Sequence, residues 1–552
     1  MSLGSSLGQR GGGECSGVSL DTGGACGVRV EPPSQSAKPS SVVTSFVITS
    51  SAVTGCHHRF VLDRFDTPHA PEGSGIMKRL SCISSSVLMA YAMLASLPQP
   101  ASAESLREAL SSAYTYNPRI DAERARLRAT DEEVARANSG YRPRASANAD
   151  VGVQHSETRP SSAANGTTAE RGYSINLSQN LFNGFQTTNA VNEAEAGVRA
   201  GRETLRDVER AVLLEAVTAY MDVVRDQAVV RLQENNVKVL TRELKATKDR
   251  FSVGEVTRTD VAQAEARRAG AVSALDAARA NLKTSRASFE RVVGHPPSNV
   301  TDPGPPNRYL PKSLGEAQSI GEQENALIIA ALYREQAARY TVDRIRGELL
   351  PSAQLEAQWA ERFDPSRTLQ ESEQASITGR VSIPIYQGGE VSARVRQAKH
   401  THVSRLQEVE QVRTEVRAAV TSAWSQLQAA VAQVQSDRLQ VEANQTALTG
   451  VREEEKVGQR TLLDVLNAEQ ELLNAQVQLV TDERNLVVAG YTLLSAVGRL
   501  DANQLGVAAN VYDPEVHYHE VRRKWFGLSI THEDGRREHF DARDGREERS
   551  YK

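Results

Sequence analysis

From residue 185 to residue 250 apolar side chains return at three- and four-residue steps, as at Leu205, Val208, Val212, Ala219 and Val223. That is the period of a helix with one face turned to a partner. No proline interrupts residues 161–295 or 385–513, and both stretches are rich in the helix formers Ala, Leu, Val, Glu, Gln and Arg. A helix over 185–250 is about 100 Å long, which implies a coiled-coil-like assembly. The stretches 106–140 and 260–293 are each about half as long and match it when stacked end to end. Small residues such as Ala262, Ala264, Ala266, Ala269 and Ala271 allow close approach between helices.

Between these helical patterns the texture changes. Residues 143–155 and 172–182 alternate in part, with Tyr173, Ile175 and Leu177 set against Ser174, Asn176 and Ser178. Residues 352–360 and 375–385 do the same, with Ile377, Val381 and Ile383 interleaved with polar or small residues. Period-two segments of this length suit strands of a tilted transmembrane barrel. Polar stretches 158–170 and 363–373 are the expected loops, and Tyr173, Phe182, Trp359, Phe363 and Tyr386 are candidates for interfacial girdles. Four strands cannot close around an aqueous pore, so several chains must contribute to one barrel.

The whole arrangement occurs twice. Leu181-Phe182-Asn183-Gly184 lies against Ile385-Tyr386-Gln387-Gly388, Val253-Gly254 against Val457-Gly458, Asp260-Val261 against Asp464-Val465, and Val293-Gly294 against Val497-Gly498, all at an offset of 204 (458 − 254). Upstream, Asn117 against Asn325 and Pro143 against Pro351 give 208 (325 − 117). The expected organisation is therefore a first repeat over 104–300 with a β-hairpin at about 143–182 and a tip turn at about 251–259. A second repeat over 301–500 has its hairpin at about 351–385 and its tip turn at about 455–463, and a charged tail covers 501–552.

The N-terminal part adds an address. From Met77 the chain reads Met-Lys-Arg, an apolar run over 83–97 and Ala101-Ser102-Ala103, the order of a secretory signal over 77–103 with cleavage between Ala103 and Glu104. Residues 1–76, rich in Gly, Ser and Pro, are expected to be an over-extended start or a disordered extension. Cys15, Cys26, Cys56 and Cys82 all precede the cleavage point, so disulfides and thiolate metal sites are excluded from the exported part, as is a lipidated N-terminal cysteine. No later apolar run is long enough for a membrane-spanning helix. A net charge of −4 points away from nucleic acid.

At these residues the chain resembles the TolC family of outer-membrane efflux and secretion ducts. The resemblance covers about 104–500 and is carried most specifically by the paired motifs Phe251-Ser-Val-Gly-Glu-Val-Thr-Arg-Thr-Asp260 and Lys456-Val-Gly-Gln-Arg460-Thr-Leu-Leu-Asp464-Val-Leu-Asn467. It implies a mainly α fold: a duplicated long-helix α-barrel, with four strands per protomer contributing to a trimeric twelve-stranded transmembrane β-barrel. It further implies a periplasmic adaptor, an inner-membrane transporter of the ABC or RND type, outer-membrane lipid around the barrel, and no cofactor. By the same resemblance Val253, Gly254, Glu255, Val457, Gly458 and Gln459 form adaptor-docking tips. Thr259, Asp260 and Arg460 match residues that hold the periplasmic end closed, and an Arg fork suits a carboxylate. Asp464 matches a position lining the constriction, where three copies would make a cation-selecting acidic ring. Two positions depart from the family pattern: Asn467 replaces a second acid and Glu455 an aromatic residue. The missing lipid-anchor cysteine leans toward the secretion-associated branch.

No Gly-Lys-Ser/Thr phosphate loop, HExxH or GxSxG is present, so no enzyme is expected. Lys399-His400-Thr401-His402 and the tail histidines His517, His519, His532 and His539 read as solvated rather than as metal ligands. The alternative function is a periplasmic coiled-coil adaptor or scaffold without a pore, which the two equivalent hairpins argue against.

Overall fold

The structure is a computed structural model that describes residues 104–507, 511–531 and 537–538; the signal segment, Ala103 and the extension before it lie outside the described residues. Glu104 bridges to Val300, its amide donating to the Asn299 carbonyl at 2.9 Å.

The first repeat contains α1 (Leu106–Tyr116), α2 (Pro118–Asn138), β1 (Arg144–Ser156), β2 (Gly166–Asn183), α3 (Gln186–Ser252) and α4 (Arg258–Val293). The second contains α5 (Leu314–Glu324), α6 (Ala326–Arg346), β3 (Ser352–Ser366), β4 (Leu369–Ser382), α7 (Glu390–Lys456) and α8 (Leu462–Val497). Both long helices, α3 and α7, have 67 residues and are therefore about 100 Å long, as the periodicity predicts.

The single helix expected over 106–140 is two helices. Pro118 lacks an amide hydrogen and holds Asn117 in extended geometry at φ −77°, ψ 118°, which ends α1 and opens α2. Asn117 then joins three chain ends. Its Oδ1 accepts from the Arg119 amide at 3.0 Å, capping α2, while its Nδ2 donates to the Val292 carbonyl at the end of α4 at 2.9 Å. The second repeat copies this without the proline. Asn325 Oδ1 accepts from the Leu327 amide at 2.9 Å and its Nδ2 donates to the Ala496 carbonyl at 2.8 Å. Each short helix is thus spliced end to end to the half-length helix beneath it, and each pair together lies along the long helix of its repeat.

The four strands form one antiparallel sheet in the order β1-β2-β3-β4, with β2 and β3 joining the repeats. They are longer than expected, at 13, 18, 15 and 14 residues. Hydrogen bonding continues through polar residues that the alternation could not assign. The expected loops accordingly shrink from 158–170 to 157–165 and from 363–373 to 367–368. At the other end β4 stops at Ser382, because Pro384 cannot donate to a ladder, and leaves Ile383, Ile385 and Tyr386 in the connection to α7.

Near this end Gly184, at φ 63°, lies so close to the Gly347 backbone that an added Cβ would collide with the Gly347 carbonyl. The main apolar core lies at the level of the splices, where Leu110, Tyr114, Val212, Leu213, Val217, Tyr220, Phe289, Val293 and Leu494 are buried together.

Two polar segments expected to be solvated are so only in part: Lys399, His400, Thr401 and His519 are exposed, His402 and His517 are half-buried against carboxylates, and His532 and His539 lie outside the described residues. His402 on α7 pairs with Glu335 on α6. The C-terminal segment forms α9 (Pro514–Val521), which packs on α2 with Tyr518 and Val521 buried. Its many charges hide a one-sided apolar face too short to register as a period.

Candidate functional site

Two regions are candidates for function: the sheet and the turns at the far ends of the long helices. In the sheet, directly paired residues share a face. One row runs Ala147, Ile175, Trp359, Ala375 and the next Ala145, Leu177, Ala357, Ile377. The opposite face carries Asn148, Ser174, Ala360 and Gln374, then Ser146, Asn176, Gln358 and Ser376, with Arg362 paired to Glu170 at 3.0 Å and Arg380 to Glu356 at 3.3 Å. One face is apolar and the other polar, as lipid on one side and water on the other require.

Aromatic rings bound the apolar face at both ends. Tyr173 lies 5.6 Å from Trp359 and 6.3 Å from Phe363 near the short loops, and Phe182 packs edge-on against Phe185 at 5.2 Å near the helices. The nine steps from Tyr173 to Phe182 span about 30 Å along β2, or about 23 Å of height at a tilt of 40°. That matches the apolar band of an outer-membrane barrel. Among the described residues the outer edges of β1 and β4 are unpaired.

The turns at the opposite end are built identically in both repeats. Gly254, at φ 81°, donates to the Phe251 carbonyl at 3.0 Å and Glu255 to that of Arg250 at 3.0 Å. Gly458, at φ 77°, donates to the Glu455 carbonyl and Gln459 to that of Glu454, both at 2.9 Å. These 5→2 and 6→1 bonds terminate α3 and α7, and only glycine adopts the left-handed geometry without strain. The chain restarts at once, with Thr257 and Thr461 capping α4 and α8. Val253 and Val457 stand exposed at the apices.

Asp260 and Asp464 are the third residues of those helices and complete the capping boxes. Asp260 Oδ2 accepts from the Thr257 amide at 2.8 Å and hydroxyl at 2.7 Å; Asp464 Oδ2 accepts from Thr461 at 3.0 and 2.8 Å. The Thr461 bonds, with Arg460 nearby, hold the Asp464 carboxyl below its ordinary value, so it is charged at neutral pH. Arg460 is paired with Glu454 at 2.9 Å, and among the described residues of one chain it makes no bond to Asp260. Thr259, the residue before Asp260, is exposed.

Glu455 and Asn467 both take arginine partners from the other repeat. Arg250 of α3 pairs with Glu455 of α7 at 2.6 Å, and Arg267 of α4 donates to Asn467 of α8 at 2.6 Å. A bond to Glu455 raises the Arg250 pKa. Sequence reading missed both arginines because they lie 205 and 200 residues from their partners. Leu240, Ala271 and Leu466 pack together near these bonds and add an apolar contact between the two helical hairpins.

Comparison with known proteins agrees with this geometry. The family model for outer membrane efflux proteins matches residues 109–295 and 320–499, one segment in each repeat. The chain is 43% identical over 455 residues to the outer membrane efflux protein BepC of Brucella suis, covering 82% of this chain and 97% of that protein. It is 24% identical to outer membrane protein TolC of Escherichia coli over 73% of this chain and 84% of TolC. To the alkaline protease secretion protein AprF of Pseudomonas aeruginosa it is 25% identical over 62% of this chain and 72% of AprF.

Among solved structures, the fold is similar to the CmeC outer membrane channel of Campylobacter jejuni. The TM-score is 0.64 at 16% identity, over 76% of this chain and 89% of CmeC. It is also similar to outer membrane protein VceC of Vibrio cholerae, with a TM-score of 0.61 at 18% identity, over 71% of this chain and 96% of VceC. By sequence, duplication and architecture, the chain belongs to the outer membrane efflux protein family, whose members are channels of the TolC type.

Proposed function

We propose that three copies of this chain form one passive exit duct, each giving its four strands to a shared twelve-stranded barrel and its helices to a tunnel through the periplasm. The carrying observation is the four-stranded sheet with one apolar face, one polar face and two unpaired edges, standing on helices of about 100 Å. The test is direct. The protein should fractionate with outer membranes as a heat-modifiable oligomer and conduct ions in planar bilayers; a soluble pool without conductance refutes the duct.

The energy for export comes from an inner-membrane ABC or RND-type transporter, reached through a periplasmic adaptor. Adaptor docking is assigned to Val253, Gly254, Glu255, Val457, Gly458 and Gln459, supported by the exposed valines at both apices. Val253→Asp combined with Val457→Asp should abolish co-purification of the adaptor while the trimer still assembles; retained adaptor removes the tips from the interface.

Closure is assigned to two kinds of link. Asp260 and Thr259 of one protomer face Arg460 of a neighbour, and Arg250–Glu455 and Arg267–Asn467 tie the two hairpins within each protomer. Asp464, ionised by its helix cap, supplies the acidic ring; Asp464→Asn should lower cation selectivity, and unchanged reversal potentials would place the ring elsewhere. Cargo follows the relatives: efflux as in BepC and protein secretion as in AprF. Deleting the gene should raise sensitivity to toxic small molecules and deplete the secreted proteome, and loss of only one phenotype assigns the duct to that route.

A further inference from the structure

The C-terminal segment climbs α2 toward the barrel. Its contacts advance in register along that helix. Arg124 and Arg128 lie over the Tyr512 ring at 5.1 and 5.5 Å, and His517 Nδ1 meets the buried Asp131 Oδ2 at 3.0 Å. Tyr518 then packs on Val134, and Asn138 Nδ2 donates to the Arg522 carbonyl at 3.5 Å. Finally Arg142, two residues before β1, donates to the Lys524 carbonyl at 2.6 Å and stacks over Trp525 at 4.9 Å. At Lys524 and Trp525 the segment therefore reaches the foot of the barrel, at the level of Arg142.

There it forms a closed loop. Gly527 has φ 112°, and Lys524 Nζ donates to the Ser529 carbonyl at 2.6 Å. The loop turns Trp525, Phe526 and Leu528 outward, 65%, 91% and 61% exposed, next to the exposed Arg523. Three large apolar side chains held in the open by a built turn are costly unless something covers them. Their level coincides with the lower aromatic belt of Tyr141, Phe182 and Phe185, where the apolar band of the barrel ends.

We propose that the loop 524–529 is a membrane-interface anchor that inserts Trp525, Phe526 and Leu528 into the periplasmic leaflet of the outer membrane, with Arg523 at the phospholipid headgroups. Continuity with the barrel's lipid-facing belt and the pairing of aromatic rings with a basic residue both fit a lipid interface. Each protomer gains a lipid contact outside its strands, fixing the height of the barrel against the tunnel. The inference rests on the outer-membrane location of the barrel.

The test uses full-length protein in vesicles whose phospholipids carry bromine at the middle of their acyl chains. A variant with Trp359→Phe and Trp424→Phe reports Trp525 alone, and one with Trp424→Phe and Trp525→Phe reports the barrel residue Trp359. Both emissions should be quenched by the brominated lipid, and Phe526→Glu with Leu528→Glu should abolish the quenching of Trp525 only. If Trp359 is quenched and Trp525 is not, the anchor is wrong. Quenching of Trp525 by aqueous acrylamide would then place the loop in water, and quenching by neither would place it against a neighbouring protomer. If Trp359 itself is not quenched, the membrane location of the sheet fails as well.

Discussion

Asn117 and Asn325 each satisfy a helix start and a helix end with one amide. Asn325 is 2% exposed, so removing its side chain leaves the Ala496 carbonyl and the Leu327 amide without partners in a dry site. Asn325→Ala should cost about 1–3 kcal/mol, seen as a lower midpoint for thermal dissociation of the trimer.

A half-buried acid, Glu209, gives a pH signature. Burial pushes the Glu209 carboxyl up from 4.5 to about 7, with Asp501 adding to the rise against the pull of Arg124. Between those values the folded chain keeps a proton that the unfolded chain has released, so stability falls as pH rises through the window. The thermal midpoint should therefore drop from about pH 5 to about pH 8, and Glu209→Gln should flatten that slope. At this scale the sequence revealed that Asn117 and Asn325 correspond. It did not reveal their role, because the carbonyls they bind lie 175 and 171 residues away.

The tip turns were legible because every element of their geometry is local. Val-Gly followed by Thr and Asp three residues later encodes a left-handed stop and a capped restart within a dozen residues. Bonds between the hairpins were not legible, since nothing local distinguishes Arg250 or Arg267 from other arginines on a solvated helix.

Closure should respond to both kinds of link. Asp260→Ala or Arg460→Ala should raise single-channel conductance, and unchanged conductance would remove them from the closed state. Arg250–Glu455 is partly exposed and worth less than about 1 kcal/mol, so Glu455→Ala should shift the ratio of open to closed events by no more than about fivefold, and less at high salt.

Over the whole molecule, the repeat and the helix lengths were the most readable features, because a duplicated pattern states its own boundaries. Strand lengths were underestimated where polar residues face the lumen, and the docked tail was read as solvated because its apolar face spans barely two turns. The two faces of the sheet set opposite tolerances. Ile377→Arg places a charge on the lipid side and should cost about 2–4 kcal/mol, lowering the amount of assembled trimer in the outer membrane. Ser376→Arg, one residue away and on the polar side, should assemble normally.

The splices have a mechanical consequence. Below Asn325, α8 runs unbroken for 36 residues, about 54 Å. Its upper end is joined to the α5–α6 junction not by continuous backbone but by side chains, the Asn325 amide and the Arg499 fork on Glu324, which makes it a lever on a side-chain hinge. A tilt of about 5° there carries the Leu462 end sideways by about 5 Å, close to one helical pitch. A tilt of that kind would move the tip end of α8 with the helix still straight and the strands above the hinge in place.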